Sequence, residues 1–352
     1  MYRTLLAASC ILAGCAPAAI HITDGRLSIT PWGFNYDHDE TGRLLEDYWD
    51  AEWPKVEEDF REMKELGANV VRVHLQLAKF MKTSETPDDR SLKQLARLLE
   101  LSERLGLTLD LTGLGCYHKK DVPAWYDALS EEARWDVQAR FWEAVAGTCA
   151  ASPAVFCYDL MNEPVVPVGR STTRDWLGKP FGGKHFVQWI SLDQAGRPRH
   201  EIARAWCRKL AQAIRKVDPR HLITVGLVDW SLDRPGVLYS GFKPEAVAPE
   251  LDFLCLHLYP KATKIDEALG TLDAFRAAGV PVVIEETFLL SCGVAEFETF
   301  LDRTRGRAAG WIGFYWGRTL EESRKSPELG DALMAQWLEL FRKKAPTPAP
   351  SR

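Results

Sequence analysis

Short apolar runs alternate along the chain with stretches whose apolar residues fall three and four apart. The first pattern belongs to strands buried on both faces, the second to helices that bury one side. Strands are predicted at 31–36, 68–74, 107–111, 154–163, 222–227, 251–257, 281–286 and 311–316. Between them the spacing predicts helices over 53–66, 91–105, 131–146, 200–217, 265–278, 295–305 and 327–344, and it is weakest between the fifth and sixth strands. The stretch 53–66 shows the logic: Val56, Phe60 and Met63 stand at helical spacing, and Gly67 supplies a stop. A short hairpin is expected at 21–29.

Strand and helix in strict alternation imply parallel strands. Eight such units in one chain fit an α/β fold of the (β/α)8 TIM-barrel type, one domain over 29–344. An open doubly wound sheet is the competing architecture, but no GxGxxG follows the first strand. In a barrel the carboxyl ends of all strands face one pocket. The fourth run closes on Asn162-Glu163-Pro164. Proline cannot donate to a strand ladder and biases the residue before it towards an extended backbone, so the strand should stop there with Glu163 held. The longest irregular stretch, 165–198, follows at once and carries Trp176, Phe181, His185, Phe186 and Trp189. A loop of that length in a compact domain is usually functional, and its aromatics predict an ordered wall beside the pocket.

Composition narrows the classes. The 352 residues are 46% apolar and 26% charged, an ordinary globular balance, and the net charge of -5 offers no basic field for nucleic acid. At the start, Arg3 precedes the apolar run 5–12, too short to span a bilayer and shaped like a signal peptide over 1–14. Leu12-Ala13-Gly14-Cys15 resembles the bacterial lipobox. That resemblance implies acylation of Cys15 and a lipid anchor in the cell envelope, with the outer membrane favoured because position 16 is not Asp. An ordinary secretory signal with a coincidental cysteine is the alternative. Residues 15–28 then form a tether and the hairpin, and the proline-rich 345–352 reads as a solvated tail. The later cysteines show no CxxC pair and no zinc spacing, so Cys157 and Cys255 are expected as buried free thiols.

The strand ends carry the chemistry. Strand one supplies Asn35, strand two Arg72 and His74, strand four Asn162 and Glu163, strand six His257 and Tyr259, strand seven Glu285 and Glu286, and strand eight Trp316. Two carboxylates from opposite sides of a barrel, among Arg, His, Tyr and Trp, are what glycoside hydrolysis needs. One protonates the leaving oxygen; the other attacks the anomeric carbon or activates water, and no metal or cofactor is required. The 13 tryptophans are many for this length. Trp135, Trp142, Trp206 and Trp337, however, fall on predicted helices and are assigned to packing.

These motifs resemble glycoside hydrolase family 5, the cellulase and β-mannanase family of retaining (β/α)8 enzymes. By resemblance, Asn162-Glu163-Pro164 carries the acid/base Glu163 and a sugar-contacting Asn162. Pro281-Val282-Val283-Ile284-Glu285-Glu286 places the nucleophile at Glu286, with Glu285 second. Arg72 supports the nucleophile, His257-Leu258-Tyr259 is the strand-six His-x-Tyr, and Trp316 is the sugar platform. His74, Asn35 and Trp189 complete the expected binding set. Two positions depart from the family pattern: Thr112 stands where a His often follows Asp-Leu, and Thr287-Phe288 follows the nucleophile where an aromatic and Gly are usual. The departures touch sugar specificity and leave the catalytic pair intact.

The expected function is therefore retaining hydrolysis of β-linked glycans, β-1,4-glucan or β-mannan, by a monomer whose partner is an oligo- or polysaccharide. Carboxyl groups about 5–5.5 Å apart are expected for that mechanism. An exo-acting β-glycosidase or β-mannosidase, and a barrel that binds glycan without cutting it, are the other readings. A metal-dependent hydrolase is disfavoured because no His-x-His closes strand one.

Overall fold

The computed structural model describes residues 20–22, 27–171, 173 and 175–346. The expected signal segment, Cys15 and the chain beyond 346 lie outside the described residues. Ile20–Ile22 pairs antiparallel with Leu27–Ile29 ahead of the barrel.

Eight strands form one closed parallel barrel: β1 (Trp32–Tyr36), β2 (Val70–Gln76), β3 (Thr108–Gly115), β4 (Val155–Asn162), β5 (Leu222–Val228), β6 (Leu254–His257), β7 (Val282–Glu286) and β8 (Gly310–Phe314). β8 closes the ring against β1, with Trp311 opposite Trp32 and Phe314 opposite Asn35. Outside lie α1 (Trp53–Glu65), α2 (Asp89–Leu105), α3 (Glu131–Cys149), α4 (Arg199–Val217), α5 (Pro244–Val247), α6 (Ile265–Arg276), α7 (Val294–Thr304) and α8 (Leu329–Lys344). α2 begins ahead of the predicted 91 because the Asp88 carboxylate accepts from the amides of Arg90 and Ser91, at 2.8 and 3.0 Å. Between β5 and β6 the helix shrinks to α5 and short 3-10 turns, in line with the weak periodicity there. Trp142, Trp206 and Trp337 are fully buried under the helices and Trp135 nearly so, each donating its indole N–H to a protein oxygen.

Alternate residues of each strand point into the barrel. The lower interior is apolar: Val70, Cys157, Leu222, Cys255, Val283 and Ile312 pack together. Two residues further along the same strands the interior turns ionic, with Arg72, Asp159, His257 and Glu285. Gly226 of β5 makes room for it, since a Cβ there would lie 2.9 Å from His257 Nε2 and 3.0 Å from Glu285 Oε2. Cys157 and Cys255 are buried free thiols, as are Cys116, Cys149 and Cys207.

Candidate active site

The carboxyl ends of the strands open on a cavity of about 420 Å3, within the usual size for a small-molecule site. Glu163 and Glu286 face it from opposite sides of the ring. Glu163 is reached by a sharp turn: its φ is +46°, not the extended value expected before Pro164. A β-type residue forced into the left-handed region stores roughly 1–3 kcal/mol of strain. It is held there by its own amide donating to Gly226 O at 3.0 Å and by its carbonyl accepting from Gln188. The strand thus stops at Asn162, and the turn swings the acid out over the barrel axis.

Glu286 sits one residue beyond an interior position of β7. The pairing between β6 and β7 slips after Leu256, so that His257 comes opposite Glu286. Arg72 Nη1 donates to Glu286 Oε1 at 2.6 Å and the Tyr259 hydroxyl donates to Oε2 at 2.7 Å. Burial and the adjacent Glu286 push the Tyr259 phenol well above its ordinary value, which keeps it a donor. An oxygen of Glu163 and an oxygen of Glu286 lie within 4.8 Å of each other, with a His257 nitrogen between them. Nearest oxygens this close fit a carboxyl separation of the ~5–5.5 Å found in retaining hydrolases.

Below this pair, Arg72 is fully buried and serves five oxygens. Nε donates to Thr112 Oγ1 at 2.7 Å, Nη2 to Asp159 Oδ2 at 2.8 Å and to Asn162 Oδ1 at 3.0 Å, and Nη1 to Asn35 Oδ1 at 2.8 Å as well as to Glu286. Thr112, at the position where the family often has His, closes the ring by donating to Asp159 at 2.8 Å. His257 is the second buried cation. Burial alone would lower its pKa, but Glu286, Glu163 and Glu285 outweigh that and raise it to about 10. Its Nδ1–H therefore donates to Glu163 and its Nε2–H to Glu285, each at 3.0 Å. Burial would raise Glu285 too, yet Arg72 and His257 pull it down to about 2. Glu163, His257 and Glu286 carry possible metal donor atoms, and here His257 spends both ring nitrogens on carboxylates.

Of the residues expected from sequence, Glu163, Glu286, His74, Tyr259 and Trp316 line the cavity. His74 is buried, and burial with Arg72 nearby keeps its ring neutral; Nδ1 meets the Tyr117 hydroxyl and Nε2 has no protein partner. Trp316 stacks on His38 at 5.3 Å and donates to Asp37 Oδ1 at 3.2 Å. Asn35, Asn162 and His257, expected on the sugar, lie beneath the cavity instead, as does Arg72, which holds the Glu286 carboxylate as expected. Asn162, for instance, spends its amide on Phe186 O and its carbonyl on Arg72. Trp189 is also off the wall: Gln188 turns inward to Leu114 O, so the next residue of that short strand faces the other way.

Several wall residues had no motif to mark them. Asp37 and His38 follow β1, Phe288 follows β7, and Lys179 and Lys184 come from the long loop, whose Phe181 and Phe186 line the wall as its aromatics predicted. The loop is anchored where Pro164–Val165 pairs with Gln188–Trp189. Asp159 did leave a signal, as a charge at an interior-facing position of a strand that is otherwise apolar.

The family model described as cellulase (glycosyl hydrolase family 5) matches residues 34–319. No curated protein matches the sequence. Among solved structures, an exo-β-1,4-mannosidase from an Opitutaceae bacterium superposes with a TM-score of 0.66 at 17% identity, covering 93% of this chain and 60% of that one. The chain thus spans less than two thirds of that protein's length. A GH5_18 protein from Streptomyces cattleya in complex with Manβ1-4GlcNAc gives 0.66 at 19% identity over 92% and 83% of the two chains. An endo-1,4-β-mannanase from Rhizomucor miehei gives 0.61 at 17% over 91% and 96%. At such identities the likeness establishes the barrel.

Proposed function

Because the chain belongs to the cellulase family, glycosyl hydrolase family 5, we propose that it is a retaining hydrolase of β-linked glycans in which Glu163 is the acid/base and Glu286 the nucleophile. The observation that carries this reading is the placement of the two carboxylates across one cavity, with their nearest oxygens within 4.8 Å and both oxygens of Glu286 fixed by Arg72 and Tyr259.

In the first step Glu286 attacks the anomeric carbon while Glu163 gives its proton to the departing glycosidic oxygen. Arg72 and Tyr259 aim the two oxygens of Glu286, so the group is oriented before substrate arrives. In the second step Glu163 takes a proton from water as that water displaces Glu286, giving net retention. His257 hydrogen-bonds Glu163 throughout and ties its motion to the layer below. Trp316 offers the ring face for the sugar, and Phe181, three-quarters exposed at the mouth, a second apolar surface at the rim.

The substrate we favour is a β-1,4-mannoside, with a β-1,4-glucoside as the other member of the class; the mannoside-active proteins of the same fold support the first. Proton NMR of the first product formed from aryl β-mannoside and β-glucoside tests both points. The β anomer is expected first, and an α anomer appearing first would overturn the retaining assignment. We also propose that Cys15 is acylated and holds the enzyme, a monomer, at the bacterial cell envelope. Incorporation of an alkyne-tagged fatty acid that Cys15→Ala leaves unchanged would refute this.

A further inference from the structure

The long loop ends in a tight hairpin. Phe181 and Lys184 exchange both backbone bonds, at 2.8 and 3.0 Å, around Gly182 and Gly183, whose φ values of +55° and +80° suit a two-residue primed turn. The turn sends the two side chains to different places: Phe181 stays in solvent, while Lys184 is 8% exposed. The Lys184 ammonium has no hydrogen-bond acceptor and no carboxylate within 4.0 Å among the described residues, although the side chain lines the catalytic cavity. It ends beside the loop after β1, only 3.4 Å from where a Cβ on Gly42 would lie.

The Lys184 nitrogen is not sealed off but meets the solvent of the cavity, which hydroxyls of a bound sugar can replace. Asp37 is near enough to feel its charge and keeps a carboxylate oxygen unused by Trp316. The other walls carry Glu163 and Glu286, so the cavity does not suit an anionic ligand, and neutral hydroxyls bridging an ammonium and a carboxylate fit it better. The position matters as much as the charge. Asp37 is bonded to the Trp316 platform and faces Glu286, so it stands on the side of the sugar that becomes attached, away from the leaving group at Glu163. On the far side of Gly42 lies an open groove bordered by Thr41, Arg43, Lys79, His118 and Lys120. It could take further sugars were it not cut off.

We propose that Lys184, by reaching towards the loop at Gly42, closes the non-reducing side of the cavity and, with Asp37, holds the hydroxyls of one terminal sugar, so that the enzyme takes chain ends and releases one residue at a time. This deepens the hydrolase reading and rests on it. Mannotetraose and cellotetraose labelled at the reducing end test it. Wild type should leave a labelled trisaccharide as the first product. Lys184→Ala opens the wall and should shift the first labelled product to the disaccharide. Lys184→Met keeps the wall without the charge: the trisaccharide should persist while kcat/KM on an aryl monoside falls about 10- to 100-fold, the loss of one charge-assisted hydrogen bond. Internal cleavage by wild type would overturn the closure and leave the hydrolase standing, as would Lys184→Ala with unchanged products. An unchanged kcat/KM in Lys184→Met would overturn the hydroxyl clamp. Wild type without turnover on any β-glycoside would instead overturn the hydrolase reading itself.

Discussion

Glu285 and Glu286 are consecutive in β7, yet they belong to two different regions. Glu286 reaches the cavity with Glu163, where a substrate can meet it. Glu285 lies sealed in the layer below, with Arg72, Asp159 and Asp110, and no part of it is exposed. The upper region has geometry aimed at a reacting carbon; the lower has the charges that hold that geometry. Cations fall where the two meet. Arg72 bonds Asp159 below and Glu286 above, and His257 bonds Glu285 below and Glu163 above. Acids of one chemical type therefore divide by layer, and each layer should respond to substitution in its own currency, rate above and stability below.

The sharpest way to break that division is to exchange the two glutamates' fates. Glu286→Gln should lower kcat by at least about 10^3-fold with thermal stability close to wild type. Added azide should restore turnover to Glu286→Gly as a glycosyl azide of inverted configuration. Glu285 as the nucleophile would give that rescue in Glu285→Gly instead, and the two-layer scheme would fall. Arg72→Met comes next. It leaves Asp159 buried without its cation, and breaking a buried ionic network by removing one partner costs roughly 3–5 kcal/mol. A denaturant midpoint within error of wild type would show that Arg72 is not the keystone of the lower layer.

The two regions also differ in how much of them a reader of the sequence can see. The barrel is legible because parallel strands covered on both faces become apolar runs, and because helical spacing returns between them. Glu163 and Glu286 are legible because each ends such a run. Asp159 and Asp110 stand out for the same reason, as charges at interior positions of otherwise apolar strands. The wall of the cavity is different. Asp37, His38 and Lys184 are ordinary polar residues in loops, brought together only once a turn more than a hundred residues downstream folds back over the barrel mouth. Trp189 shows the converse: an aromatic in the right loop misleads when its strand's alternation turns it outward.

His257 ties the regions by charge, which gives a pH signature. Its pKa is about 10 when folded and near 6.5 in an unfolded chain. The raised value means the folded state holds the proton more tightly, so its contribution is complete below about 6.5 and is lost as pH climbs through about 10. Melting temperature should therefore drop between these values in wild type more steeply than in His257→Gln, which has no such proton to lose. Parallel pH profiles for the two proteins would remove His257 as the charged link.

The smallest effect is expected at Asp110, and it probes the lower layer alone. Asp110 presents an oxygen within 4.8 Å of both Glu285 and Cys255, and neither of its carboxyl oxygens has a hydrogen-bond partner. Burial raises its pKa well above the ordinary range, Glu285 adds to the rise, and Arg72 offsets only part of it. With Glu285 kept anionic by Arg72 and His257, the proton of this pair resides on Asp110. A raised carboxyl pKa reverses the usual acid-stability trend. Below about pH 4 folded and unfolded chains both carry the proton and Asp110 contributes no pH dependence; above that the unfolded chain releases it freely, and the folded state falls behind. Asparagine has nearly the same shape and no proton to give up. Asp110→Asn should therefore melt close to wild type at pH 4 and gain on it steadily as pH rises, with activity little changed. A gap that narrows with rising pH would mean that Asp110 is ionised in the fold, and that the layer beneath the catalytic pair carries one more negative charge than Arg72 and His257 are placed to balance.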